Sequence, residues 1–135
     1  VLKKEILRVV DANFNRAKEG LRVVEDTFRF VFEEDSLRKT ARTLRHALDS
    51  IAREEIFKDA ILSRNSRKDI GKALDRLEMK REDSRQILYI NFQRVKESLR
   101  VLEEFFKLLL PLKVSKVKQI RYQLYQLEQK AVKKC

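Results

Sequence analysis

Two copies of one small constellation carry most of the chemistry in this sequence: Asn13, Arg16 and Glu19, and again Asn91, Arg94 and Glu97. Three-residue spacing on a helix brings an amide, a guanidinium and a carboxylate close to one face. An arginine fork can grip phosphate oxygens, an amide can orient a ligand, and a carboxylate can hold a divalent metal or a hydroxyl. Two further arginines sit inside apolar stripes: Arg45 between Ala41 and Leu48, and Arg121 between Val117 and Leu124. A charge set among apolar residues costs free energy unless it is paired or faces a polar cavity. Two arrangements meet that condition. In one, the arginines bond the glutamates and lock the helices together. In the other, they line a polar cleft, and an excess of 32 Lys and Arg over 21 Asp and Glu favours this one. The same residues can serve both.

The elements that position them are read from apolar spacing. From Leu2 to Phe32, apolar residues recur at Ile6, Val10, Phe14, Ala17, Leu21, Val24, Phe28 and Val31, which predicts one long helix through Gly20. On a helical wheel its apolar arc centres on Asn13 and Gly20, with Val9, Val23, Thr27 and Phe30 on one flank. Arg16 falls inside the arc and Glu19 at its edge, while Lys18, Arg22, Glu25 and Arg29 form the solvated face. Asp35 or Ser36 is placed to cap a second helix carrying Leu37, Ala41, Leu44, Leu48 and Ile51, continuing through Ile56 and Ile61. Ser63 to Gly71 reads as a loop, with a short helical piece around Lys72 to Lys80. Asp83 and Ser84 cap a third long helix that ends at Leu110 before Pro111, and a fourth runs from about Ser115.

The sequence also repeats itself. NFNRAKEGLRVVEDTFRF, from Asn13, and NFQRVKESLRVLEEFFKL, from Asn91, are identical at ten of eighteen positions, at an offset of 78. A weaker echo follows each copy, LRHAL from Leu44 and IRYQL from Ile120. The expected fold is all-α: an antiparallel helical bundle of two helical hairpins related by a pseudo-two-fold axis. One domain over residues 1–135 is expected, with halves at about 1–62 and 84–135 joined by a linker at 63–83.

Composition removes several classes. Two glycines and one proline are too few for a sandwich of short strands, and cannot build a Gly-rich phosphate loop. The single cysteine, Cys135, and single histidine, His46, leave no internal disulfide, no cysteine zinc site and little material for Ser-His or Cys-His catalysis. No apolar run is long enough for a membrane span, and no signal-peptide pattern opens the chain. A cytoplasmic location is the expectation, for a processed chain or an excised domain since no methionine opens it. Arg64, Arg67, Lys68 and Asp69 read as either an anion-binding loop or a solvated one. His46 reads as a surface or packing residue, Phe105, Phe106 and the leucines at 108–110 as core, and the terminal lysines as a solvated face.

Four runs together resemble a known family: DANFNRAKEGLRVVED, RKDIG, NFQRVKESLRVLEEF and IRYQLYQLE. They are similar to a small helical domain, found alone or fused in front of thiamin phosphate synthase, described as an alternative hydroxymethylpyrimidine phosphate kinase. The matched positions are Asp11, Asn13, Arg16, Glu19, Arg22 and Glu25 in the first run, and Asn91, Arg94, Glu97, Arg100, Glu103 and Glu104 in the third. Arg64, Asp69 and Gly71 match the loop, and Arg121 and Tyr122 the last helix. Ile90 departs from the small residue usual before the asparagine.

The resemblance implies phosphoryl transfer from ATP to hydroxymethylpyrimidine phosphate. An acceptor that is already an ionised phosphate requires no strong general base, consistent with the scarcity of histidine and cysteine. On this reading Arg16, Arg94 and Arg64 act on the reacting phosphates, and Arg45 and Arg121 also clamp substrate phosphate. Asn13 and Asn91 bond the aminopyrimidine, and Glu19, Glu97 and Asp69 hold Mg²⁺. The implied partners are a phosphorylated pyrimidine and a nucleotide, with thiamin phosphate synthase and further copies of the chain also compatible; no membrane is implied. Two other classes remain: a non-catalytic accessory domain of the synthase, and a basic helical nucleic-acid binder. The second is disfavoured because phosphate-backbone binding needs charge only on the outside.

Overall fold

The computed structural model describes residues 2–74 and 76–135, without the side chains of residues 2, 76 and 77. The part of the expected 72–80 helical piece that falls on Asp75 lies outside the described residues. Every regular element among the described residues is helical: α1 (Leu2–Asp26), α2 (Asp35–Ile51), α3 (Ile56–Ser63), α4 (Arg76–Met79), α5 (Ser84–Leu109) and α6 (Val114–Lys134).

The two long repeat-bearing helices, α1 and α5, pack on each other along the middle of the molecule. α2 lies on α1, α6 on α5, α2 and α6 also touch, and α3 closes on α1. The stripes read from the sequence meet in one apolar cluster. Val10, Ala17, Leu21 and Val24 of α1, and Phe28 just past its end, join Phe92, Val95, Leu99, Leu102 and Phe106 of α5 there, all close to full burial. Leu44, Leu48, Leu124 and Leu127 seal it from the outer helices. Burying side chains of this size contributes about 1.5–3 kcal/mol each before the cost of ordering them.

Gly20 sets how near α1 and α5 approach. A Cβ there would stand 2.7 Å from Val95 Cγ2 and 3.5 Å from the carbonyl oxygen of Asn91. The close crossing leaves the asparagines of both copies beside the seam.

Several boundaries differ from the sequence expectation. α1 ends at Asp26, and Thr27–Phe32 continues as a π-helix in which the Thr27 hydroxyl donates to the Val23 carbonyl at 2.7 Å. It stops at Glu33, whose left-handed backbone (φ 52°) lets the next amide, Glu34 N–H, reach the Phe28 carbonyl at 2.9 Å. Neither Asp35 nor Ser36 caps α2; Asp35 begins the helix and binds Arg38 and Lys39. The helix expected to run through Ile61 breaks after Ile51. A turn carries the chain to α3, where Phe57 stacks edge-on against Phe14 at 5.0 Å and Phe106 at 5.9 Å. That aromatic cluster requires a change of direction that a continuous α2 could not make. Asp83 does cap α5, accepting from Gln86 N–H at 2.8 Å. Leu108, expected in the core, is 66% exposed. Among the described residues no helix is long and apolar enough to cross a membrane.

Candidate functional site

Along the α1–α5 seam runs a cleft of about 620 Å³. Asn13, Arg16, Glu19, Gly20 and Val23 line it from α1, and Asn91, Arg94, Glu97, Ser98 and Val101 from α5. Each α1 residue has its repeat counterpart across the cleft, 78 positions on. Gly71 and Glu78, from the connection between the halves, complete the lining.

The side chains differ in how they are held. Asn13 is buried and donates to the Val9 carbonyl at 2.9 Å, and Asn91 donates to the Ile87 carbonyl at 2.8 Å. Both amide groups are thus fixed by their own helix one turn back, leaving the side-chain oxygens for other partners. Arg16 reaches Asn13 Oδ1 at a long 3.5 Å. Arg16, Glu19, Arg94 and Glu97 are exposed rather than buried in the arc, and none has an ion-pair partner among the described residues. Two guanidiniums and two carboxylates thus face one polar cleft with their bonding capacity largely unused. Such a site can take a ligand carrying phosphate and a nitrogen-rich ring edge.

The other predicted residues stand elsewhere. Arg45 donates to Glu25 at 3.1 and 3.5 Å, from α2 to α1. Arg121 donates to both oxygens of Glu103 and to the Tyr125 hydroxyl, from α6 to α5. That embrace raises the Arg121 guanidinium above its ordinary pKa, the Glu103 hydrogen bond being the main cause. Neither arginine lines the seam cleft. Glu25 is buried, not solvated as its wheel position suggests. Arg64 forms a two-pronged pair with Asp11, both bonds 2.7 Å, and Asp11 raises the guanidinium above its ordinary value, with a smaller push from Glu19. Asp69 is exposed and accepts from Gly71 N–H at 2.9 Å, which orients the loop where it borders the cleft.

Sequence reasoning missed the partners: Asp11 for Arg64, Glu25 for Arg45, Glu103 for Arg121. A signal was present for two of them, since Glu25 and Glu103 are identical in the two copies, which a solvated face does not require. Among the described residues no three His, Cys, Asp or Glu side chains cluster as a metal cage.

Comparison with known proteins places this architecture. The model of the ThiD2 family matches residues 8–130. A protein named thiamine-phosphate synthase from Synechocystis sp. is 42% identical over 124 residues, 91% of this chain and 35% of that protein. One of the same name from Prochlorococcus marinus is 40% identical over 127 residues, covering 93% and 35%, and one from Gloeobacter violaceus is 35% identical over 132 residues, covering 97% and 38%. The chain thus spans little more than a third of the length of these relatives. No solved structure matches it at a significant level. With its family model matched across nearly its whole length, the chain belongs to the ThiD2 family.

Proposed function

We propose that this chain acts in thiamin biosynthesis and that its α1–α5 cleft transfers a phosphoryl group from ATP to the phosphate of hydroxymethylpyrimidine phosphate. One observation carries the reading: the cleft gathers two amides, two guanidiniums and two carboxylates from the repeated segments, and these four repeat-borne charges, Arg16, Glu19, Arg94 and Glu97, lack ion-pair partners among the described residues. Phosphoryl transfer depends on alignment and on positive charge at developing oxyanions more than on a protein nucleophile. An oxygen of the acceptor phosphate, ionised at neutral pH, bonds the terminal phosphorus of ATP. The bond to the bridging oxygen breaks, and ADP leaves. Arg16 and Arg94 hold the phosphates from opposite walls, and the fixed Asn13 and Asn91 read the aminopyrimidine edge.

The residues present fit Mg²⁺. The ion takes hard oxygen donors, one or two protein carboxylates at a time together with phosphates, and Glu19 and Glu97 offer that without a closed cage. Glu19 and Glu97 would hold it, with Asp69 beyond the lining; when bound, it supplies charge neutralisation on phosphate oxygens. Arg64, tied to Asp11, then acts as a positioning residue for the loop, and Arg45 and Arg121 stabilise their hairpins. The test is incubation with hydroxymethylpyrimidine phosphate, ATP and Mg²⁺, with the diphosphate detected by mass spectrometry. Arg16→Ala is expected to lower turnover about 10²-fold, the scale of losing one charged stabiliser; no product from the parent under varied donors and metals would overturn the kinase reading.

A second reading has its own support: the chain's match covers only 35% of relatives named thiamine-phosphate synthase, which are much longer than this chain. On that reading the domain docks on a synthase and delivers intermediates to it. Co-purification with a synthase, without phosphoryl transfer, would favour it.

A further inference from the structure

On the face of α1 turned away from the seam cleft lies a second concavity, of about 730 Å³. Five arginines line it, Arg22, Arg29, Arg38, Arg42 and Arg45, with His46 and only three carboxylates, Glu25, Glu33 and Asp35. Three of the arginines are held in position. Arg45 is fixed on buried Glu25, Arg22 approaches the same carboxylate at 3.4 Å, and Arg38 donates twice to Asp35 at 2.8 and 2.9 Å. A guanidinium carries five N–H donors, so each keeps donors free for a further acceptor. Arg29 and Arg42 are exposed and have no acidic partner among the described residues.

The second hairpin supplies an internal control. The counterparts of Arg22 and Arg29 are Arg100 and Lys107, and both bind Glu104, at 3.1 and 3.0 Å. The counterpart of Arg42 is Lys118, which lies over the Tyr122 ring at 5.8 Å, and His46 is replaced by Tyr122 itself. There every one of these cations has a partner within the chain; on the first hairpin Arg22 also meets Asp26 at 3.4 Å and Arg29 lies over the Phe30 ring at 4.9 Å, but Arg42 has neither an acid nor a ring among the described residues, and the group surrounds an open recess.

We infer that this recess is a second anion site, separate from the seam cleft, that takes a compact polyphosphate group such as a diphosphate or the tail of a nucleoside triphosphate. Converging pre-oriented guanidiniums suit several phosphate oxygens on adjacent phosphorus atoms. A concave site favours a small polyanion over a nucleic-acid backbone, which binds along an extended basic surface. The inference stands independently of the kinase reading, because it concerns different residues.

The test is an NMR titration of the ¹⁵N-labelled chain with inorganic diphosphate. Amide shifts are expected at Arg38–His46 and around Arg29, and the double variant Arg29→Gln/Arg42→Gln should weaken that binding by about tenfold or more, the scale of losing two charge-assisted contacts. Arg16→Ala should leave those shifts intact even if it abolishes any at Asn91–Ser98, and Arg100→Gln, at the matched position of the other hairpin, should leave them unchanged. No response at Arg38–His46 up to about 10 mM diphosphate, where any affinity is negligible, would overturn the inference. So would a response indifferent to the double variant, or one produced only by oligonucleotides with steep salt dependence.

Discussion

Glu25 and Glu103 occupy the same place in the repeat, and each binds an arginine from the next long helix of its own half. The surroundings then diverge. Around Arg121 the second hairpin closes: Tyr125 bonds the guanidinium, and the Tyr122 and Tyr125 rings lie within 5.2 and 5.6 Å of it. Around Arg45 the first hairpin stays open, Glu25 is shared with Arg22, and the pair borders the arginine recess. One duplicated ion pair has become a sealed joint in one half and the floor of a concavity in the other. An ion pair can be repeated without its function being repeated; what surrounds it decides how much water it sees.

The largest expected effect tests the sealed joint. Glu103→Gln leaves Arg121 buried without its counter-charge and should cost about 3–5 kcal/mol in denaturant unfolding. Glu25→Gln should cost less than half as much, since water reaches Arg45 from the recess; equal losses would break the comparison. Gly20→Ala comes next. Its Cβ meets Val95 Cγ2, and shifting the α1–α5 seam should cost about 1–3 kcal/mol, whereas Ser98→Ala at the matched position only removes a 2.7 Å bond back to the Arg94 carbonyl and should be near neutral. Tyr125→Phe deletes one hydrogen bond to Arg121 and should lower stability by about 1 kcal/mol, measured by thermal melting. The smallest effect concerns the first half alone. Glu33→Gly relieves a left-handed non-glycine backbone and should change stability by about 0.5–1 kcal/mol in the favourable direction, less the freedom it gives the unfolded chain.

The helices were legible because their apolar residues repeat at helical spacing and their ends carry local signals, as Asp83 does for α5. The break after Ile51 was not, because it is imposed from a distance by Phe14 and Phe106 gathering Phe57. The burial of Glu25 was hidden for a related reason. A wheel assigns one buried arc, but α1 is covered on two sides, by α5 and by α2, and Glu25 lies under the second. Six of the polar residues lining the seam, the Asn, Arg and Glu of each copy, were readable because duplication marked them. The destinations of Arg45 and Arg121 were not, since a charge in an apolar stripe looks the same whether it meets a ligand or a glutamate.

From Arg64 to Leu74 the connection between the halves is exposed at every residue. What joins the halves is therefore the α1–α5 and α2–α6 contact, with the peptide chain contributing proximity rather than packing. In genetic terms the gene has a natural seam at this stretch. Two open reading frames meeting there would encode partners whose apolar faces already complement each other.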